Sequence, residues 1–269
     1  MGLIQHKREA YWFYRFLSLG YDRWVNPLFW TPAMRARALE AARLDRPELD
    51  VLDAGAGTGF TTEAIVERVD PARVTMLDQS PHQLARARRK PALAGCRKEL
   101  GDAERLPFED GAFDRYVSAG SIEYWPDPQR GIAEAHRVLR EGGTGVVIGP
   151  VEPAHPLLRR LSSTWMLFPP QDDYVRWFQR AGFEEVEVHA LAPDWYRGRS
   201  VYAVAVSGVK RGPARTVPDP VLAVEDRTSP MTVGDRLRFA GRFVLGSAAG
   251  LVFVPIGAAL ALRARLARR

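Results

Sequence analysis

From Leu49 to Ser207 short apolar runs alternate with longer stretches of helical spacing. Val51-Leu52 is a brief apolar run that leads into a glycine-rich loop, and residues 62–68 carry helical spacing. Residues 74–77 read as a strand and 81–89 as a helix begun by Ser80, whose hydroxyl suits an N-cap. Residues 113–118 predict a strand, 129–139 a helix and 145–149 another strand. Residues 172–181 read as a helix closed by Gly182, since glycine readily takes the left-handed conformation that ends helices. Residues 183–189 and 201–207 follow as strands with no helix between them, which predicts an antiparallel edge pair. Elsewhere strand and helix alternate, so the fold class expected is α/β with a mostly parallel sheet.

The flanks follow other rules. Residues 1–45 are helical in pattern, with Tyr11, Trp12, Phe13, Tyr14, Phe16 and Leu17 crowded before a break at Gly20-Tyr21-Asp22. Pro32 suits the first turn of a further helix running toward Arg43. So dense a run exceeds one buried stripe, and two readings stand: packing against the core, or a helical lid over an apolar substrate. Residues 46–207 make the catalytic domain. Residues 208–235, with Pro213, Pro218, Pro220 and Pro230 among many charges, read as a linker. Residues 243–262 then run uncharged, with Arg236, Arg238 and Arg242 before them and Arg263, Arg265, Arg268 and Arg269 after. As a helix this run would be about 30 Å long, enough to cross a bilayer. Residues 236–269 are therefore expected to be a C-terminal membrane anchor, spanning or partly inserted, because Gly246, Gly250, Pro255 and Gly257 weaken a helix in a way membranes tolerate. Gly246 and Gly250 also form a G-x-x-x-G pair, a weak pointer to a homodimer.

Composition narrows the partners. A chain of 269 residues with 46% hydrophobic content suits one α/β domain plus these appendages. Cys96 is the one cysteine, which excludes an internal disulfide and a cysteine-rich zinc site. No His/Cys/Asp cluster has metal-ligand spacing, so no metal is expected. The net charge of +6 favours an anionic partner. The arginines are scattered without a nucleic-acid-binding motif, so the expectation is a membrane surface and no nucleic acid. The N-terminus carries Lys7, Arg8 and Glu9 and no uninterrupted apolar region, unlike a signal peptide. The expected placement is membrane-associated, with the catalytic domain facing the cytoplasm.

Chemistry enters at Val51-Leu52-Asp53-Ala54-Gly55-Ala56-Gly57-Thr58-Gly59. A dinucleotide fingerprint needs G-x-G-x-x-G, but Phe60 stands where its third glycine belongs and Gly59 makes the loop G-x-G-x-G. That form resembles the loop of class I S-adenosylmethionine-dependent methyltransferases. Asp78 ends the next strand, 23 residues after Gly55, where an acid accepts both ribose hydroxyls. In Gly101-Asp102-Ala103 the acid can accept from an adenine amino group and the Ala103 N–H can reach a ring nitrogen. The order and spacing of the three elements point to S-adenosyl-L-methionine as cofactor. The fold that the resemblance implies is Rossmann-like, with a mostly parallel seven-stranded sheet and helices on both faces. The cofactor-binding residues expected are Asp53, Ala54, Gly55, Gly57, Thr58, Gly59, Asp78, Gln79, Asp102, Ala103 and Ser118, with Asp53 and the loop amides holding the methionine end.

Two longer runs narrow the resemblance: Val74-Thr75-Met76-Leu77-Asp78-Gln79-Ser80-Pro81-His82-Gln83-Leu84-Ala85, and the stretch from Asp114-Arg115-Tyr116 through Ser121-Ile122-Glu123-Tyr124-Trp125-Pro126-Asp127-Pro128 to Gly131. Both resemble the plant chloroplast 2-methyl-6-phytyl-1,4-benzoquinol/2-methyl-6-solanesyl-1,4-benzoquinol methyltransferases of the inner envelope membrane. So do Ile4-Gln5-His6-Lys7, Trp165-Met166-Leu167-Phe168-Pro169, Trp195-Tyr196-Arg197-Gly198 and Gly241-Arg242-Phe243-Val244-Leu245-Gly246. The chain departs from the plant pattern at residues 151–161, in the linker and in lacking a visible transit peptide. The resemblance implies C-methylation of a prenylated benzoquinol, in plastoquinone and tocopherol synthesis.

A quinol ring carbon becomes nucleophilic when a ring hydroxyl loses its proton, and a phenol titrates near pH 10, so a general base helps. Glu123 follows the fourth strand and is the first candidate, against a surface acid at a helix start; His155 is the second, then His6. Tyr14, Tyr21, Tyr124, Trp125 and Trp165 are the expected substrate-lining residues, with plain helix packing the alternative for Tyr124 and Trp125. Two other functions stay open: methylation of another membrane quinone or isoprenoid lipid, and non-catalytic binding of S-adenosylmethionine at a membrane.

Overall fold

Strands that lie inside a parallel sheet are buried on both faces and read as unbroken apolar runs. A computed structural model of the chain describes residues 30–156, 159–160, 167–198, 200–213 and scattered positions between 232 and 266. Its sheet is built from β1 (Val51–Ala54), β2 (Val74–Asp78), β3 (Arg97–Leu100), β4 (Phe113–Ala119), β5 (Leu139–Pro150), β6 (Phe183–Leu191) and β7 (Ala203–Lys210). The helices are α1 (Pro32–Glu40), α2 (Phe60–Ile65), α3 (Pro81–Ala87), α4 (Pro128–Val138) and α5 (Gln171–Ala181). The strand order is β3-β2-β1-β4-β5-β7-β6. β7 pairs antiparallel with both β5 and β6, while β1 to β5 pair in parallel. β7 alone is therefore reversed, and the pair with no helix between its strands is the antiparallel one that the sequence predicts.

Alternation along each strand divides the core into two layers. Val51, Met76, Val117, Val146, Ile148 and Ala205 point into the layer under α1 and α2. Leu52, Leu77, Tyr116, Val147, Val204 and Val206 point into the layer under α4 and α5. Local chemistry sets the helix ends. Ser80 accepts from Gln83 N–H at the start of α3, Asp127 accepts from Arg130 N–H at the start of α4, and Gly182 ends α5 at φ 102. Lys210 Nζ donates to Arg137 O and Leu139 O, tying the end of β7 to the last turn of α4. β6 is an outer strand, with a register shift between Glu184 and Glu187 and Glu185 at φ 49.

Three elements differ from the sequence reading. β5 begins at Leu139, directly after α4, and passes through Gly142 at φ 77 before its apolar run, so the 145–149 run is only its buried part. α2 begins at Phe60, because Gly59 at φ 84 turns the chain straight into the helix. Residues 32–44 pack onto the domain: Met34, Ala38, Leu39, Ala42 and Leu44 are buried, and the Arg35 guanidinium lies 4.5 Å over the Phe60 ring. The rest of the expected lid, residues 1–29, lies outside the described residues, as does most of 243–262. Among the described residues no helix is long and apolar enough to cross a membrane. The expected C-terminal membrane helix falls on residues that lie mostly outside the described ones.

Gly149 near the end of β5 is wedged in the second layer. A Cβ there would lie 2.3 Å from the Tyr174 hydroxyl and 2.6 Å from Ile122 Cγ2. Tyr174 cannot swing away without losing its 2.8 Å bond to Pro150 O. Gly149→Ala is expected to cost about 1–3 kcal/mol of stability through overpacking, seen as an earlier urea midpoint at unchanged m-value.

Candidate active site

β1 pairs with β2 on one side and with β4 on the other, so the chain switches between the two halves of the sheet at its carboxyl end. Open α/β sheets bind ligands in the crevice at such a switch point. Here the crevice is bounded by the loop after β1 and the turn after β4. Gly55, at φ 73, has no space for a side chain: a Cβ would lie 2.1 Å from Ser121 Oγ. Gly57, at φ 57, is the converse, with nothing within 4 Å of its Cβ position, so the crest of the loop faces open space.

The loop amides do not fill the role expected of them. Gly55 and Ala56 N–H donate to Leu77 O at 2.8 and 3.0 Å, and Gly59 N–H donates to Ala56 O at 2.8 Å. Gly57 N–H donates to Asp78 Oδ2 at 2.8 Å. These four amides shape the loop and are already engaged within the protein. Asp78 also accepts Ser80 N–H at 2.8 Å through Oδ1. A carboxylate has about four lone-pair sites, so acceptor capacity remains on Asp78 toward the crevice. Burial pushes its pKa up to about 6, with the Ser80 and Gly57 bonds working the other way.

Asp53 lies beneath the loop, 1% exposed. Its Oδ2 accepts from Thr62 Oγ1 at 2.6 Å, while Oδ1 is buried without a partner. Burial raises this carboxyl to about 7; the Thr62 bond lowers it and the Asp78 charge raises it further. An orphaned carboxylate oxygen beside an open glycine crest suits a small cationic ligand.

The other predicted cofactor residues divide. Ala54 is buried at the end of β1, Thr58 is buried within the loop, and Gln79 is half-buried after Asp78. Asp102 follows β3, and its Oδ1 accepts Glu104 N–H at 3.0 Å, next to the buried Ala103. Ser118 is fully buried on the β4 face that carries Tyr116.

Glu123 sits in a short 3-10 turn, Ile122–Tyr124, directly after β4. It is 6% exposed, which corrects the alternative of a surface acid. Its Oε2 is buried without a partner, and burial raises the carboxyl to about 7. Tyr124 is buried beside it. Trp125 packs on α4, where its ring would lie 2.5 Å from a Cβ at Gly131, and its Nε1 donates to Ser121 Oγ at 2.9 Å. His155 is exposed in the loop after β5. Tyr14, Tyr21, Trp165 and His6 lie outside the described residues. Sequence reasoning missed Thr62, the partner of Asp53, and Ser121, the side chain that fills the space at Gly55. Thr62 lies in the helix that begins after Gly59, where a hydroxyl can face back to the strand end; Ser121 carries no comparable signal.

The fold and the site define an S-adenosylmethionine-dependent methyltransferase, and the sequence model described as "Methyltransferase domain" matches residues 52–147. The chain is 52% identical over 263 residues to 2-methyl-6-phytyl-1,4-hydroquinone methyltransferase 2, chloroplastic, of Oryza sativa subsp. japonica, covering 94% of this chain and 74% of that one. It is 51% identical over 259 residues to the Arabidopsis thaliana protein named 2-methyl-6-phytyl-1,4-hydroquinone methyltransferase, chloroplastic, covering 94% and 76%. The chain belongs to this 2-methyl-6-phytyl-1,4-hydroquinone methyltransferase family. Among solved structures, the fold is shared with geranyl diphosphate C-methyltransferase from Streptomyces coelicolor A3(2), in complex with S-adenosyl-L-homocysteine, at a TM-score of 0.58 and 18% identity over 66% of this chain and 77% of that one.

Asp53 binds a proton more tightly in the fold than in the unfolded chain, where its carboxyl titrates near pH 4. Its ionised form is therefore the destabilising one, and its cost grows as pH rises through about 7. Asp53→Asn removes that cost. In cofactor-free protein the Tm of the variant relative to wild type is expected to climb from pH 5 to pH 8, measured by calorimetry. A difference that is flat, or that falls over this interval, would contradict the burial argument.

Proposed function

We propose that the protein methylates a ring carbon of a prenylated benzoquinol of the 2-methyl-6-prenyl-1,4-benzoquinol type, as in plastoquinone and tocopherol synthesis. The names of the plant relatives support this substrate class. The observation that carries the reading is the buried Glu123 carboxylate, its Oε2 without a partner, in the turn whose Ser121 side chain abuts the cofactor loop. In this reading Asp78 accepts the ribose hydroxyls, Asp102 and Ala103 hold the adenine, and Asp53 faces the ammonium of the methionine end. Bound S-adenosylmethionine supplies an already activated methyl group on a sulfonium. The protein's part is then to align, to exclude water and to move one proton.

Glu123 takes the proton of a quinol hydroxyl, which raises electron density at the ring carbon. With S-adenosylmethionine bound, that carbon would take its methyl group; the ring hydrogen would then be lost to water as a proton while the ring oxygen regains its proton from Glu123, so that one proton is released overall and the quinol is restored. A carboxyl raised to about 7 is half-ionised at neutral pH and well placed to accept. Burial beside Tyr124 keeps competing water away. Methylation of another membrane quinone or isoprenoid would use the same groups, and assay on a panel of quinols separates these substrates.

Membrane association belongs to the same proposal. Large apolar side chains are exposed at Val233, Leu237, Val244, Leu262 and Leu266, by 59–73%. Their concentration after residue 232, among flanking arginines, suits an anionic lipid surface. Catalysis then takes place where a prenylated substrate dissolves, with the domain on the cytoplasmic side.

Two outcomes test this reading. Glu123→Gln should lower kcat on a prenylated benzoquinol by at least about 100-fold while S-adenosylmethionine affinity stays level. The wild-type rate should rise with pH through about 7, the ionisation of Glu123, and the variant should lose that limb. Activity within a few-fold of wild type would remove Glu123 from the mechanism. Separately, deleting residues 236–269 should move the protein from the membrane pellet to the soluble fraction, with methylation of a short-chain quinol in detergent retained. Pelleting that persists through a high-salt wash would place the anchor elsewhere.

A further inference from the structure

The loop between β3 and β4 carries Asp102 and Ala103, and its start is closed by Arg105 N–H on Asp102 O at 3.0 Å and by Gly101 N–H on Asp78 O at 3.1 Å. The rest of it is held by one side of α4. Asp127, Arg130, Glu134 and Arg137 recur at the three- and four-residue spacing that places side chains in one row along a helix. Each meets the loop in turn. The buried Glu104 carboxylate accepts Asp127 N–H at the positive end of the helix. Glu104 O accepts from Arg130 Nε at 2.9 Å. Leu106 N–H donates to Glu134 Oε2 at 2.7 Å. Arg137 donates to Leu106 O at 3.1 Å, to Phe108 O at 2.7 Å and to Asp110 Oδ1 at 2.8 Å. Its remaining donors form a bidentate pair with Glu134 at 2.7 and 2.8 Å. Gly111 N–H closes the loop onto Arg137 O at 3.1 Å.

This row connects directly to Asp102. Glu104 N–H sets the Asp102 carboxylate through a 3.0 Å bond, and Glu104 is itself fixed by the first turn of α4. We infer that Arg130, Glu134 and Arg137 are positioning residues for the cofactor's adenine: they hold the Asp102–Ala103 loop in its binding shape and so set cofactor affinity without touching the cofactor. The inference rests on the assignment of Asp102 and Ala103 to the adenine. A guanidinium is needed at 137, because three nitrogens in a planar fork serve two carbonyls and two carboxylates at once, which a lysine ammonium cannot reproduce.

The test is calorimetric titration of S-adenosylmethionine and S-adenosylhomocysteine into the full chain, with kinetics on a prenylated benzoquinol. Arg130→Ala and Arg137→Lys should each raise Kd for both ligands about tenfold, as expected for losing hydrogen bonds from a charged donor. KM for S-adenosylmethionine should rise with it, while kcat at saturation stays within about twofold. Arg140→Ala is the control. Arg140 makes comparable bonds, to Asp114 Oδ2, Asp50 Oδ2 and Ala112 O, at the opposite end of the sheet, and its loss should leave Kd unchanged. Asp102→Ala tests the underlying assignment. If Asp102→Ala weakens binding while the Arg130 and Arg137 variants match wild type, the positioning role is wrong. If Arg140→Ala weakens binding as much as they do, the effect is general stability and the inference falls. If Asp102→Ala itself has no effect, the adenine assignment fails and takes the inference with it. A folded fraction measured by circular dichroism normalises each Kd, and Arg137→Lys keeps the charge should an alanine variant not fold.

Discussion

Ser121 Oγ occupies the place that the first carbon of a side chain at residue 55 would take. This contact joins two segments far apart in sequence, the loop after β1 and the turn after β4, at the point where the sheet reverses its order. Trp125 Nε1 donates to the same hydroxyl, and the Trp125 ring is seated on Gly131 of α4. The turn that carries Glu123 is thus registered against the cofactor loop on one side and against a helix on the other. A methyl transfer depends on the separation of donor and acceptor to a fraction of an ångström. In the function proposed above that separation would be governed by the contact between the two loops, through a glycine that leaves room and a small side chain that fills it.

The carboxyl groups around this contact are held in environments that oppose their charge. Asp53, Asp78 and Glu123 are all raised, chiefly by burial, and among the described residues no cationic side chain offsets the rise. A fold selected for stability alone would pair such groups or replace them. Their retention together, around one crevice, is the arrangement expected where acceptors must be ready for hydroxyls, an ammonium and a proton. The same chain places its paired acids elsewhere: Asp114 lies at the amino end of the sheet beside Arg140 and is held below the usual carboxylate range by Asp50 N–H and by these arginine contacts, against a burial effect that pushes it up.

Much of this was legible in the sequence, and the failures have definite causes. Asp53, the glycine loop, Asp78 and Asp102 stand in an order and spacing that a nucleoside ligand requires, so the crevice could be read before it was seen. The seat of the Trp125 ring on Gly131 is not legible in sequence, because it depends on how α4 packs against the turn after β4. The engagement of the Gly55 and Ala56 amides could not be foreseen, since their partner, Leu77 O, belongs to the neighbouring strand. The row Asp127, Arg130, Glu134, Arg137 was visible as charge on a helix, but charge on a helix usually faces solvent, and only the path of the 102–111 loop shows otherwise.

The reversal of β7 determines where the chain leaves the domain. Ala203 lies beside Pro150 at the end that holds the crevice, and Lys210 lies beside the last turn of α4 at the far end. Whatever follows is therefore launched from the side opposite the chemistry. From Pro213 to Thr232 the chain can reach at most about 65 Å when extended, several times the length of a strand. A tether of that reach does not dictate which pole of the domain meets a lipid surface. In the membrane association proposed above, orientation would then have to come from the domain's own face, and attachment would serve only to keep the enzyme within range, as a mooring line does for a boat that still has to steer to the quay.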